Sequence, residues 1–189
     1  MLTEQQLYEN KHKYVELLTK LNVDLTDFSK FLDSVDYFNK PASTTYFRAY
    51  QGGLCQYALD LYYELCQLAN AYFPGRYTEE DVIKVALFKD LYRAILYEEC
   101  EKNAIVDGKW QAVKGYKYKD ERPTFGDLGF SSYMVAKHFF NFTDEQIEAI
   151  TQADTKDSYA GDIHDILRSY PLVTLTKMAD LAANYLEAN

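Results

Sequence analysis

The apolar residues of Leu54–Tyr72 recur at steps of three and four, which places them on one face of a long helix. Pro74-Gly75 ends this helix. A second segment, Val82–Leu96, is apolar on nearly every side and follows a helix cap formed by Thr78 and Asp81. A helix without a polar face is typical of the centre of a domain. These two segments therefore predict a helical bundle with a substantial core.

Shorter elements are predicted on both sides of this centre. Besides a capping box that opens a helix at Thr3, the predicted helices lie at residues 25–32, at Ser131–Phe140, just after Thr143, and from Pro171 to about Leu186. Asp107-Gly108 lies between two short β-prone runs and indicates a hairpin turn. We therefore expect one all-α helical domain over residues 1–189, with a small β-hairpin near residues 104–118.

Charge and cysteine content exclude several classes of protein. The net charge is −9, which disfavours direct binding to DNA or RNA. Mimicry of DNA charge is the weaker interpretation, because the acidic residues are interspersed with Lys and Arg. Cys55, Cys66 and Cys100 form no CxxC pair and are expected to be reduced thiols. With no apolar run of membrane-spanning length and no signal peptide, we expect a cytoplasmic protein without a membrane partner.

Tyrosine is unusually frequent, with 18 Tyr and 11 Phe but 1 Trp. Tyrosine combines a large apolar ring with a polar tip, so we expect most of these residues to fill the core. The alternative is an aromatic-rich surface or pocket that binds a base or a protein partner.

A series of short sequence blocks carries a family pattern. In order they are Pro41-Ala42-Ser43-Thr44, Tyr50-Gln51-Gly52-Gly53-Leu54, Ala86-Leu87-Phe88-Lys89-Asp90-Leu91, Asp107-Gly108-Lys109-Trp110, Gly126-Asp127 with Ser131, Phe142-Thr143-Asp144-Glu145-Gln146, Tyr170-Pro171-Leu172 and Met178-Ala179-Asp180. This series resembles the HD-domain metal-dependent phosphohydrolases, in particular small HD proteins of phages and bacteria. The resemblance covers residues 32–186 and implies that family's helical fold.

The resemblance also implies a metal site, and this chain departs from it. Active relatives bind one or two metal ions through histidines, a His-Asp pair and a final Asp, and the metal activates water for attack on phosphate. Of these ligands, Asp90 and Asp180 are present. The histidine positions are occupied by Tyr57, Lys89, Asp127 and Ala153, and Tyr46-Phe47 replaces a Tyr-His pair.

Lys89 is the most consequential replacement. An ammonium has three donors and no lone pair, so it repels a metal ion and cannot bind one. We hypothesise that Lys89, Asp90 and Asp180, together with Arg93, form an ion-pair cluster in place of the metal centre. No cofactor is expected. A metal site rebuilt from Asp90, Asp127, Asp180 and His164 is the alternative, and nothing in the spacing of these residues favours it.

The leading functional hypothesis is a non-catalytic HD-like domain that binds a partner. The partner is a protein docked on exposed tyrosines or a nucleotide held in the former substrate pocket. The candidate pocket comprises Arg48, Tyr57, Lys89, Asp90, Arg93, Asp127, Lys177 and Asp180. By analogy with phage relatives, the target is a host protein or nucleotide signal in the host cytoplasm. The alternative function is an active nucleotide phosphohydrolase or phosphodiesterase with a remodelled site.

Overall fold

The computed structural model describes residues 1–121, 126–152 and 160–185; for Val106 and residues 160–164 it describes only the backbone. The described chain is mostly helical and contains a two-stranded antiparallel hairpin, as predicted. The elements are α1 (Glu4–Thr19), α2 (Thr26–Ser34), a 3₁₀ turn (Tyr37–Asn39), α3 (Gly53–Tyr72), α4 (Glu79–Phe88), α5 (Arg93–Leu96), β1 (Tyr97–Val106), β2 (Lys109–Tyr118), α6 (Leu128–Ala136), α7 (Asp144–Gln152), α8 (Ala160–Ser169) and α9 (Pro171–Tyr185).

Two capping boxes begin the helices that the sequence predicts. The Thr3 hydroxyl accepts from the Gln6 backbone N–H at 3.2 Å, while the Gln6 side chain accepts from the Thr3 N–H at 2.8 Å. Thr78 and Asp81 make the same reciprocal pair at the start of α4. Each box satisfies donors that a helix N-terminus otherwise leaves without partners. Both predicted helix starts are therefore confirmed.

Helix α3 lies at the centre of the core. It packs against α1, α4 and α9, and its Leu61 and Leu65 side chains are fully buried. A single cluster of buried apolar residues extends from Tyr14 to Ala183, which connects the two ends of the described chain. Because α4 and α9 both contact α3, residues at the end of α4 come close to residues on α9.

Aromatic rings fill the core beside α4. Phe88 stacks on Phe140 with ring centroids 4.6 Å apart, and Phe28 meets both rings edge-on at 5.5 and 4.9 Å. Offset-stacked and edge-to-face pairs are favourable arrangements of aromatic quadrupoles. Tyrosine is found both in the core and on the surface. Among the described residues, four tyrosines are fully buried, and others, such as Tyr46 at 90% exposure, lie on the surface.

The prediction of one helix over Val82–Leu96 is wrong. Helix α4 ends at Phe88, a turn follows, and the single-turn α5 leads into β1. In the turn, the Tyr92 N–H donates at 3.1 Å to the hydroxyl of Ser132 on α6. This tertiary contact replaces a helical hydrogen bond, which local periodicity cannot reveal.

The hairpin is longer than predicted. Its turn is at Asp107-Gly108, where both residues have positive φ (51° and 75°), as a type I′ hairpin turn requires. Strand β1 begins at Tyr97, seven positions before the predicted start at residue 104. Lys102 connects the hairpin to the loop before α3, since its Nζ donates to the Thr44 carbonyl at 2.7 Å.

Other predicted boundaries also shift. Helix α6 ends at Ala136, before the predicted Phe140, and begins at Leu128, because the Asp127 carboxylate caps it by accepting from the Phe130 N–H at 2.8 Å. Helix α8 was not predicted. Ala153 and Leu186 lie outside the described residues. In the described part of the chain, every helix is too short or too polar to cross a membrane.

Candidate functional site

Lys89 lies between the carboxylates of Asp90, the next residue, and Asp180, which is distant in sequence. It follows the last residue of α4, and its Nζ is 3.4 Å from Oδ2 of Asp90 and 3.4 Å from Oδ1 of Asp180 on α9. Its side chain is 1% exposed, whereas those of Asp90 and Asp180 are 4% and 20% exposed. The ammonium is therefore removed from water and is balanced by carboxylates on both sides.

Tyr57 completes the contact between α3 and α9. Its hydroxyl donates to Oδ1 of Asp180 and accepts from Nζ of Lys89 at 3.3 Å. Burial raises the pKa of this phenol well above its ordinary value, and the nearby Asp90 and Asp180 carboxylates add to the increase against the opposing effect of Lys89. The phenol therefore keeps its proton and acts as a donor. Tyr57, which occupies a histidine position of the family pattern, is thus part of a hydrogen-bonded network.

Arg93 pairs with the other side of Asp90. Its Nε lies 3.1 Å from Oδ1 of Asp90, and its Nη1 donates to the Tyr97 hydroxyl at 3.1 Å. Burial alone would raise the pKa of Asp90, but Arg93 and then Lys89 lower it more strongly, so the pKa lies below its ordinary value. Burial also raises the pKa of Tyr97 to about 12. Asp90 is therefore ionised, and Tyr97 is neutral at physiological pH.

These side chains form what we call the Lys89 cluster, defined as Tyr57, Lys89, Asp90, Arg93 and Asp180. Its two cations and two carboxylates sum to zero net charge. A divalent ion added to it would leave a buried net charge of +2, which is strongly unfavourable in a low-dielectric interior. The carboxylates alone do not replace the missing histidines. Among the described residues, no group of three or more His, Cys, Asp or Glu side chains is arranged to hold a metal ion.

The residues present thus do not fit the metal centre that the family resemblance implies. The histidines do not supply ligands elsewhere in the described site, because His12 and His138 are both exposed on the surface. The backbone of His164 lies in α8, and its side chain is outside the description.

Of the remaining candidate residues, Arg48 lies beside the cluster. Arg48 is buried, with its guanidinium carbon 5.9 Å from the Tyr57 ring centroid, and it donates to Asp60 Oδ2 at 2.7 Å and to the Ala183 carbonyl at 2.8 Å. Asp127 caps α6. Lys177 lies on α9, three positions before Asp180, and is half-buried.

Two residues of the site, Asp60 and Asn184, were not among those predicted from the sequence. Asp60 holds Arg48, and Asn184 Nδ2 donates to Asp180 Oδ1 at 3.3 Å. The spacing of Asp180 and Asn184, one helical turn apart, is the signal that could have shown the second contact. No local signal connects Arg48 to Asp60, because the pair depends on how the loop before α3 folds back.

Comparison of this chain with protein-family models, curated proteins and solved structures gives no match. What the site does must therefore be argued from its own geometry.

The pKa of Asp90 predicts an acid-sensitive contribution to stability. The folded-state pKa lies below its ordinary value, so the ionised carboxylate stabilises the fold above about pH 4. This contribution is lost as the pH falls through the folded-state pKa. We expect the stability difference between the native chain and Asp90→Asn to shrink on acidification, as measured by urea unfolding from about pH 7 to about pH 2. A difference that does not change over this range would contradict the ion pairing of Asp90.

Proposed function

We propose that this chain is an HD-like domain that has lost hydrolase chemistry and acts by binding a protein partner. The observation that carries the proposal is the position of the Lys89 ammonium, 3.4 Å from both Asp90 and Asp180. These are the two metal ligands that the family resemblance assigns. The proposal is that Lys89 takes over charge balance for both carboxylates, so that the scaffold persists without the metal.

Binding of a nucleotide in the former substrate pocket has less support from the geometry. Three of the four cations in the candidate pocket pair with carboxylates, since Arg48 pairs with Asp60, and Lys89 and Arg93 pair with Asp90. A phosphate would have to displace these carboxylates from buried cations. Tyr57, the tyrosine in the candidate pocket, is 1% exposed and so is not available to stack on a base. The protein-binding form of the proposal requires no such rearrangement.

The hairpin offers a surface for a protein partner. Ile105 and Trp110 are cross-strand neighbours next to its turn and are 62% and 73% exposed. Between Tyr97 and Tyr118 there are four acidic and four basic residues, so the hairpin is neutral in a chain whose net charge is −9. Exposed aromatic and aliphatic side chains are typical of the centres of protein interfaces. As a cytoplasmic binding protein, whether of phage or bacterial origin, the chain would act through this surface.

Metal-dependent thermal melting tests the proposal. Bound metal at about 100 times its Kd stabilises a folded protein by roughly 2.7 kcal/mol. We expect no change in the Tm of the native chain between EDTA and Mg²⁺, Mn²⁺, Co²⁺ or Ni²⁺. Clear stabilisation by Mn²⁺ or Co²⁺ that EDTA reverses would contradict the proposal and favour a phosphohydrolase with a remodelled site.

A designed variant serves as the positive control for this experiment. Tyr57→His combined with Lys89→His restores two histidines beside Asp90 and Asp180 and removes the ammonium. This double variant is expected to gain metal-dependent stabilisation that the native chain lacks. A parallel assay for phosphate release from nucleoside triphosphates and for cleavage of cyclic dinucleotides is expected to show no product with the native chain.

A further inference from the structure

A second site lies on the other side of Arg48 from Tyr57, in a cavity of about 570 Å³ between the start of α1, α3 and the end of α9. We call it the Glu64 cavity, and its lining includes Arg48, Tyr50, Gln56, Asp60, Tyr63 and Glu64. Gln56, Asp60 and Glu64 are spaced by four residues on α3, which puts their side chains on one face of the helix. This face is not part of the Lys89 cluster.

Hydrogen bonds hold one wall of the cavity in place. Asn10 Nδ2 donates to Gln56 Oε1 at 2.7 Å, and Gln56 Nε2 donates to both Asp60 oxygens at 2.8 and 3.0 Å. Arg48, whose side chain is 3% exposed, donates to Asp60 from the other side at 2.7 Å. The charge of Asp60 is thereby balanced by a buried guanidinium. This wall is preorganised and does not need to rearrange when a ligand binds.

Glu64 supplies the uncompensated charge. It is half-buried, and within the described residues it has neither an ion pair nor a side-chain hydrogen bond. With Arg48 and Asp60 cancelling, the described lining of the cavity has a net charge of −1. Tyr50 and Tyr63 lie in the same lining, and Tyr63 is 46% exposed. A carboxylate beside aromatic rings is suited to a cation, because both the charge and the ring faces attract it.

We infer that the Glu64 cavity binds an organic cation, either an ammonium or a guanidinium group, which pairs with Glu64 and contacts the tyrosine rings. The net charge of −9 draws cations toward the molecule as a whole, while the cavity gives one of them a defined position. The group can belong to a free small amine or to an Arg or Lys side chain of the proposed protein partner. The inference goes beyond the proposed function, and the two can fail separately because they concern different residues.

Titration of ¹⁵N-labelled full chain with N-acetyl-arginine amide tests this inference. The matched neutral ligand is N-acetyl-citrulline amide, in which an uncharged urea replaces the guanidinium. We expect the arginine compound to shift backbone amide signals of residues 56–64 and 182–183, and the citrulline compound to bind at least about tenfold more weakly. Added salt is expected to weaken arginine binding.

Two variants separate the cavity from general electrostatics. Glu64→Gln is expected to weaken binding of the arginine compound about tenfold, whereas Glu16→Gln, an identical charge change at an exposed position of α1, is expected to leave it unchanged. Titration with agmatine distinguishes the sources of the cation. Binding more than about tenfold tighter than the arginine compound indicates a free amine, and similar or weaker binding indicates a protein side chain. Equal responses to arginine and citrulline compounds, or unchanged binding in Glu64→Gln, would overturn the inference.

Discussion

Replacing Asp90 with alanine is expected to lower the free energy of unfolding by about 3–5 kcal/mol. Asp90 is the shared partner of the buried Lys89, whose Nζ is at 3.4 Å, and of the half-buried Arg93, whose Nε is at 3.1 Å. Its removal would leave the described cluster with a net charge of +1 in the protein interior. Urea unfolding monitored by circular dichroism at pH 7 would measure the loss.

A graded set of variants shows whether the loss comes from uncompensated charge. Lys89→Met leaves Asp90 paired with Arg93 and Asp180 bonded to Tyr57, so we expect a smaller loss than for Asp90→Ala. Replacement of buried pairs by apolar side chains is in some cases neutral. Asp33→Ala, at an exposed position of α2, is the control and is expected to change stability by less than about 0.5 kcal/mol. A loss of under about 1 kcal/mol in Asp90→Ala would refute the importance of the cluster to folding.

Phe88→Ala is expected to be equally damaging for a different reason. The Phe88 side chain is fully buried, stacks on Phe140 at 4.6 Å and meets Phe28 edge-on at 5.5 Å. Truncation loses the burial of the ring and leaves a cavity that the neighbouring rings cannot fill, at a cost of about 3–5 kcal/mol. The same unfolding experiment would measure the change.

A chemically matched truncation controls for this prediction. Tyr46→Ala removes an aromatic ring that is 90% exposed, and its expected effect is within about 0.5 kcal/mol. Phe88 directly precedes Lys89 at the end of α4, so the variant also shows whether ring packing positions the Lys89 cluster. An effect as small as that of Tyr46→Ala would mean that the core around Phe88 collapses to fill the space.

Local sequence features predicted the elements whose signals lie within a few residues. The Thr3 and Thr78 capping boxes begin α1 and α4 as expected, because each box is completed three residues further along the chain. Asp107-Gly108 makes the hairpin turn, because the two positive φ angles suit this residue pair. The long apolar stripe of α3 likewise marked the central helix of the core.

Tertiary contacts decided the features that local signals misrepresented. Apolar periodicity predicted that α4 extends to Leu96, but the helix ends at Phe88. In the turn that follows, the Tyr92 N–H donates to the Ser132 hydroxyl on α6. Asp127 was considered as a site residue and acts as the cap of α6. The Tyr92 N–H finds its partner through chain packing, whereas the Asp127 cap is a local contact with the Phe130 N–H three residues further along.

The candidate site divides in the same way. The sequence by itself determined that an ammonium stands at position 89, next to Asp90, and that the expected histidines are absent, because these are matters of residue chemistry. Only the tertiary structure decided that Lys89 reaches Asp180, and that Arg48 binds Asp60 and borders a separate cavity. The residue types determine the side-chain chemistry, whereas the partner of a buried charge depends on how α3, α4 and α9 pack.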